Sequence, residues 1–411
     1  MRKSTRLMLA GLSAIAVSYG FARYEFGLFV PVFREEFRVS TQQIGVVSSA
    51  SYAAYLVAMI LTGFLTNRRG PRIAVVTGSL CASLGMLLIA TAQAPVPLII
   101  GVILAGSSPG FCWAPFSDAI AMMVDPKHRN RVLSVVSSGT TFGLVVAGPV
   151  AIMADTGGGT NTSAWRFAWA SFAIAALLVA VWNARLLPSL PYEGSVPSIS
   201  DGAGTRNVSF SWFLCRKSIP LLGQAFLYGL IAAFYFTYAV DLVRGAGLSE
   251  TWAAVLWSLV GLGGIAGLFG GDAVYRFGLN GCLTVCLGLL AVSIASLTFG
   301  EESITVVVIG ALMFGASYMP MAAFLVIWSG YVFHERPTTG FSAVLFCLAF
   351  GAIVGPVSLG SIVDTFGLKT AFWCTAALTG LIPVLRPHAD LHGPTSELAH
   401  RAETGKLEVT A

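Results

Sequence analysis

Charge is what this chain of 411 residues has least of: Asp, Glu, Lys and Arg make up only 10% of it, against roughly 25% in an average soluble protein. A soluble globule of this size could not cover its surface with so few ions, and that class is excluded. A hydrophobic content of 56% and a mean hydropathy of +0.79 agree. Seven cysteines are too few for a disulfide scaffold, and the apolar content is too high for a disordered or collagen-like chain. The pI near 8.9 comes from 24 basic residues without a basic run or an aromatic-interleaved patch, so no nucleic-acid partner is expected. No Walker loop, H-E-x-x-H or G-x-S-x-G occurs, so neither ATP-driven transport nor membrane proteolysis is indicated and no enzyme is expected. Cys282 and Cys286 share a helix face, but no further Cys or His completes a metal quartet. No metal and no cofactor are expected. What remains is an all-α membrane protein.

Its spans can be counted. A bilayer core takes roughly 20 apolar residues per helix. Charge-free stretches run at 43–66, 132–154, 167–184, 218–240, 251–271, 277–300, 303–333, 337–363 and 370–385. The stretch 73–124 holds two helices, split at Gln93-Ala94-Pro95-Val96-Pro97, and a single acid, Asp118. The segment 7–33 could pass for a signal peptide at its start, but its apolar run continues too far and reads as a first helix. The total is twelve transmembrane helices, the last the shortest. With the N-terminus inside, 18 of the 24 Lys and Arg fall in cytoplasmic segments, five (Arg34, Arg38, Arg166, Arg244, Lys369) fall outside, and Arg23 lies within a span. That bias places both termini in the cytoplasm of a multi-pass protein of the plasma (inner) membrane. Four regions follow: a first bundle at 1–187, a Ser-, Gly- and Pro-rich cytoplasmic linker at 188–216, a second bundle at 217–386 and a polar cytoplasmic tail at 387–411. The sequons at Asn161 and Asn207 are short enough to be chance.

The two six-helix bundles repeat. Ser40 and Ser249 open helices two and eight; Gly63, Arg68 and Gly70 recur as Gly271, Arg276 and Gly278; Gly106 recurs as Gly315, and Gly148-Pro149-Val150 as Gly355-Pro356-Val357. The offset stays between 207 and 209, which indicates a duplicated, pseudo-symmetric structure. Such bundles place a solute site between their halves and expose it alternately by rocking. The paired sites Gly148, Pro149, Gly355 and Pro356 suit hinges or close helix packing.

The stretch Gly63-Phe64-Leu65-Thr66-Asn67-Arg68-Arg69-Gly70-Pro71-Arg72 resembles the signature loop of the major facilitator superfamily, G-x-L-x-D-R-x-G-R-R/K. Its weaker copy at Gly271–Asn280 falls where that family has its second one. The opening GFARYEFGLFVPVF and the Trp113-Ala114-Pro115 region look like the branch labelled YbfB/YjiJ-like. The resemblance covers residues 7 to 386 and implies the major facilitator fold and a secondary active transporter. In that loop a tight glycine turn carries arginines that latch one conformation. Gly63, Asn67, Arg68, Gly70 and Arg72 are the gating candidates, with Asp125 as a partner for Arg68 or Arg72. The chain departs from the pattern in having Asn67 where the family has Asp, which removes a charge from the latch. It also lacks the arginine that proton-coupled drug exporters carry early in helix four. Gly143 and Gly148-Pro149 stand one residue too far apart for the G-x-x-x-G-P of their helix five. The Gly351 to Pro356 run in helix eleven has the right spacing, in the other half.

Arg23 and Glu25 are the anomalous residues. At 1.5 Å per residue they sit roughly 15 and 12 Å from the outer end of helix one, where a charge costs at least ~2.5 kcal/mol. Their second-half counterparts, near Ala232 and Phe234, are apolar. Arg23 shares a helical face with Gly20 and Gly27, a stripe of small residues suited to a cavity. We expect Arg23 to anchor an anionic group, since guanidinium is always charged and binds carboxylates in pairs. Glu25 is the candidate proton site, because burial favours a protonated carboxyl. The alternatives are snorkelling of Arg23 to the surface or an ion pair with another helix. Asp118 is a second proton or cation candidate, or else a partner for the loop arginines. Tyr24, Trp113, Tyr235 and Tyr318 lie at mid-span depths where aromatics line solute cavities.

The expected function is alternating-access transport of a small organic anion by a monomer in the lipid bilayer, with protons as the candidate coupling ion. Two alternatives stand beside it: a proton-linked exporter of amphipathic compounds using Glu25 or Asp118, and a receptor or scaffold that kept the fold and lost transport.

Overall fold

The computed structural model describes residues 3–156, 164–189, 216–334 and 337–385. Linker residues 190–215, the tail 387–411 and both sequons lie outside the described residues. Among the described residues, eleven helices are long and apolar enough to cross a membrane: α1 (Thr5–Phe37), α2 (Thr41–Arg69), α3 (Pro71–Thr91), α4 (Pro95–Met123), α5 (Lys127–Met153), α6 (Ala164–Leu186), α7 (Ile219–Gly245), α8 (Glu250–Phe277), α9 (Leu279–Phe299), α10 (Ile304–Val332) and α11 (Thr339–Phe366). A shorter apolar helix, α12 (Leu368–Val384), completes the set. Six precede the linker and six follow it.

The repeat seen in the sequence returns in the backbone. Ser40 caps α2, its hydroxyl accepting from the Gln43 amide at 3.2 Å while the Gln43 side chain accepts the Ser40 amide. Its counterpart Ser249 caps α8 by accepting from the Trp252 amide. Both caps satisfy donors that a helix start leaves unpaired. At the other ends of these helices, Gly70 and Gly278 adopt φ of 77° and 74°, a conformation that costs glycine little and other residues much. Each amide closes the last turn, Gly70 onto Thr66 O at 2.8 Å and Gly278 onto Val274 O at 2.9 Å.

Helices α1, α4 and α8 change helical geometry partway along. In α1 the backbone widens to π-type bonding over Ala16–Tyr24, between α segments Lys3–Ile15 and Glu25–Phe37. It tightens to a 3₁₀ turn at Ser108–Phe111 in α4 and at Gly264–Phe269 in α8. The uniform first helix expected from the sequence is therefore interrupted. Insertions of this kind occur frequently at functional sites, and this one ends beside Arg23 and Glu25.

The halves meet along two pseudo-symmetric seams, α2 with α11 and α5 with α8, and α1 also packs on α7. Gly45 abuts the Pro356 carbonyl, and Gly148 abuts Ala254 and Ser258. Gly355 instead packs within its own half, on Leu230. Hydrogen bonds reinforce the seam at the end that carries Arg34: the one Tyr238 O–H is shared between Thr41 O across the halves at 3.1 Å and Pro356 O in its own half at 3.2 Å, and Ser48 and Thr237 share a bond of 2.7 Å. Arg34 pairs with Asp241 across the halves. The ion pairs found among the described residues all lie at this end, including Arg166–Glu36 at 2.6 Å, Arg244–Glu250 and Lys369–Glu301. At the opposite end the closing segments of α4 (Trp113–Met123) and α8 (Gly270–Phe277) find their main packing partners within their own halves. The halves are thus locked together at the Arg34 end.

Candidate functional site

The widened turn of α1 delivers Arg23 into a cage of tyrosine rings. Its guanidinium carbon stands 4.2 Å from the ring centre of Tyr55, 4.7 Å from Tyr52, 5.6 Å from Tyr19 and 5.7 Å from Tyr24. Each ring presents a negative face to the cation, and desolvation strengthens that attraction. No carboxylate pairs with Arg23 among the described residues, and its Nε is buried without a hydrogen-bond partner. Arg23 and Tyr19 keep some exposed surface, whereas Tyr24, Tyr52 and Tyr55 are buried. The result is a cation near mid-span with aromatic neighbours and no counter-ion among the described residues.

Glu25 points elsewhere, as its spacing from Arg23 implied. It is fully buried; its Oε1 accepts from Trp257 Nε1 of α8 at 2.8 Å, and its Oε2 has no partner. One side chain of α1 thereby ties to the other half. Tyr24 makes a second tie, its hydroxyl sharing a 3.0 Å bond with the Tyr318 hydroxyl of α10. Tyr318 stacks on Tyr228 of α7, and the Tyr228 hydroxyl donates to Tyr318 O at 2.8 Å.

The structure brings together only part of the expected set. Arg23, Tyr24 and Tyr318 form one cluster. Tyr235 does not join it: it is buried against Phe314, the two rings stacked in the second-half core. Trp113 follows the 3₁₀ turn of α4, half-buried; its carbonyl accepts from the Ser117 hydroxyl at 3.3 Å, and its ring stacks on no other aromatic ring among the described residues. Asp118 is half-buried and likewise has no ion pair among them. The Gly20 and Gly27 stripe faces packed backbone. Gly20 lies against Gly143 of α5, and a Cβ at Gly27 would overlap the Phe236 carbonyl of α7; the small residues serve helix contact. At the signature loop, Arg68 and Arg72 are exposed and form no ion pair with Asp125, which precedes α5 as an exposed residue. Arg129 instead closes the end of α4, donating to Ala121 O at 2.5 Å and to Val124 O at 3.0 Å.

Tyr19, Tyr52, Tyr55, Tyr228 and Trp257 went unread in the sequence. Tyr19 stands four residues before Arg23, and Tyr52 and Tyr55 lie three apart in the second span; those spacings were the available signal.

Two six-helix halves, joined along paired seams and holding an unpaired cation and a buried acid near mid-span, define a membrane transporter of the major facilitator type. The chain belongs to the family described as "Uncharacterised MFS-type transporter YbfB", which matches residues 15–385. It is similar to the hexuronate transporter of Bacillus subtilis (strain 168), 25% identical over 366 residues that cover 84% of this chain and 85% of that one. Monocarboxylate transporter 11 of Homo sapiens is 28% identical over 96% of this chain and 76% of its own. Among solved structures, the xylose transporter XylE from E. coli, in a partially occluded inward open conformation, superposes with a TM-score of 0.71 at 14% identity, covering 93% of this chain and 97% of that one. The chain is accordingly a multi-pass secondary transporter of small solutes, not an enzyme.

Proposed function

We propose that this transporter carries a small organic anion, held by Arg23, and couples its movement to a proton at Glu25. The observation that carries the reading is the caged guanidinium: a cation near mid-span, partly exposed, with no carboxylate of its own. A charge there is costly unless it bears on transport. The relatives named for hexuronate and for monocarboxylate both handle carboxylates, which supports the same solute chemistry. In the orientation given by the loop charges, both termini are cytoplasmic in the plasma membrane and the Arg34 end is outside. The conformation described is then closed outside and facing inward. Arg68, Arg72 and Asp125, apart here, would form the inner latch in the opposite state. Both halves of the site come from one chain, so a monomer suffices.

Glu25 supports the coupling because its carboxyl bonds across the halves with one oxygen unpartnered. Glu25→Gln keeps the size and the bond from Trp257 but has no proton to exchange. The variant is expected to retain anion counterflow within about threefold and to lose uphill uptake driven by a pH gradient, since counterflow needs no net proton movement. Proteoliposomes loaded with labelled carboxylates check both. Gradient-driven uptake unchanged in Glu25→Gln would remove Glu25 from the coupling. Saturable counterflow of cations or neutral amphipaths, without any of anions, would overturn the anion reading in favour of an amphipath exporter, and no counterflow of any solute bound would point to a receptor.

A further inference from the structure

We infer that the solute is a hydroxylated carboxylate, whose carboxylate rests on Arg23 while a hydroxyl close to it in the molecule is read by the Tyr24–Tyr318 pair. The inference rests on the anion reading above and narrows it. Tyr24 is the residue that belongs to both features: its ring is part of the Arg23 cage, and its hydroxyl bonds to Tyr318 across the halves. An anion-binding group and a polar reading group are therefore separated by about one side chain, which fits a hydroxyl a few bonds from a carboxylate.

The hydroxyl pair has capacity to spare. Each phenol offers one donor and two acceptor sites, and their mutual bond uses one donor and one acceptor. Their mutual bond partners both oxygens, and Tyr318 keeps exposed surface while Phe314 and Phe236 beside it are buried. A solute hydroxyl can insert here, donating to one phenol and accepting from the other. Tyr228 is a positioning residue: it stacks on Tyr318 and bonds its carbonyl, holding the ring at the interface of the halves. An unsubstituted carboxylate would satisfy Arg23 and leave the phenols to each other, gaining nothing from them. Sites built to hydrogen-bond a hydroxyl discriminate strongly against analogues without one.

The test compares matched pairs in proteoliposome counterflow, lactate with propionate and gluconate with hexanoate, in wild type, Tyr318→Phe and Tyr24→Phe. Both variants keep the rings, so the Arg23 cage and the Tyr228 stack are preserved. In wild type the hydroxylated member of at least one pair is expected to exchange about tenfold faster or more than its partner. In each variant that ratio should fall toward one, through a larger loss of rate for the hydroxylated acid than for the unsubstituted one. A wild-type ratio near one, or variants that slow both members equally, overturns the inference while leaving the anion reading in place. Failure of every carboxylate to exchange in wild type overturns both.

Discussion

Gly27→Val is expected to slow transport on the order of 100-fold while leaving each half folded. The site is a crossing of α1 over α7, where a Cβ would overlap the Phe236 carbonyl and press on the Trp257 ring. A flexible side chain could move aside, but a backbone carbonyl in a packed helix moves only with its helix. Overpacking of this kind costs up to ~3 kcal/mol, and a penalty of that size applied to one conformation alone shifts its population about 100-fold. The penalty falls on the state closed at the Arg34 end, because only there do α1 and α7 meet so closely. Contacts within each half are untouched, so the variant should insert and purify normally. Its halves should rest apart at that end, and a cysteine at the seam position Ser48, buried in the closed state, should be labelled from the Arg34 side faster than in the parent. Wild-type counterflow with unchanged labelling would show that this crossing does not limit closure.

Arg23→Ala is expected to lower counterflow of every transported carboxylate on the order of 100-fold or more. Truncating one partner of a buried charge pair costs about 2–5 kcal/mol, much of it from stranding the other charge, and each 1.4 kcal/mol is tenfold. Here the stranded partner would be the solute itself near mid-membrane. Arg23→Lys separates charge from shape. An ammonium keeps the positive charge and still attracts the rings of Tyr52 and Tyr55, but loses the planar fork that grips both carboxylate oxygens. Its counterflow should fall between those of wild type and Arg23→Ala. Equal rates in Arg23→Lys and Arg23→Ala would assign the effect to the fork; equal rates in Arg23→Ala and wild type would remove Arg23 from the site.

Much of the fold was legible in the sequence because bilayer spans are apolar by necessity. The duplication was legible for a local reason: Ser40 and Ser249 cap helices by their own side chains, and Gly70 and Gly278 make turns that other residues resist. Each works within a few residues, so spacing alone reveals it. The candidate site was legible only as far as single residues announce themselves. Arg23 and Glu25 stood out by charge. The π-type widening at Ala16–Tyr24 did not, since no residue in that stretch forces it and a helical wheel assumes 3.6 residues per turn; the Gly20, Arg23 and Gly27 stripe misled for that reason. The partners were hidden because they are distant in the chain. Trp257 reaches Glu25 across 232 residues and Tyr318 reaches Tyr24 across 294, and nothing local distinguishes them from packed aromatics such as Tyr235. Arg34 and Asp241 likewise read as ordinary charges at the ends of spans; only packing makes them a bridge between halves.

The most direct measurement is a structure determined with a transported carboxylate bound. The carboxylate is expected about 3 Å from the Arg23 guanidinium nitrogens, among Tyr19, Tyr52 and Tyr55. An anion seated instead on the exposed arginines at Arg68 and Arg72, with none at Arg23, would contradict the assignment of the caged guanidinium as the solute anchor.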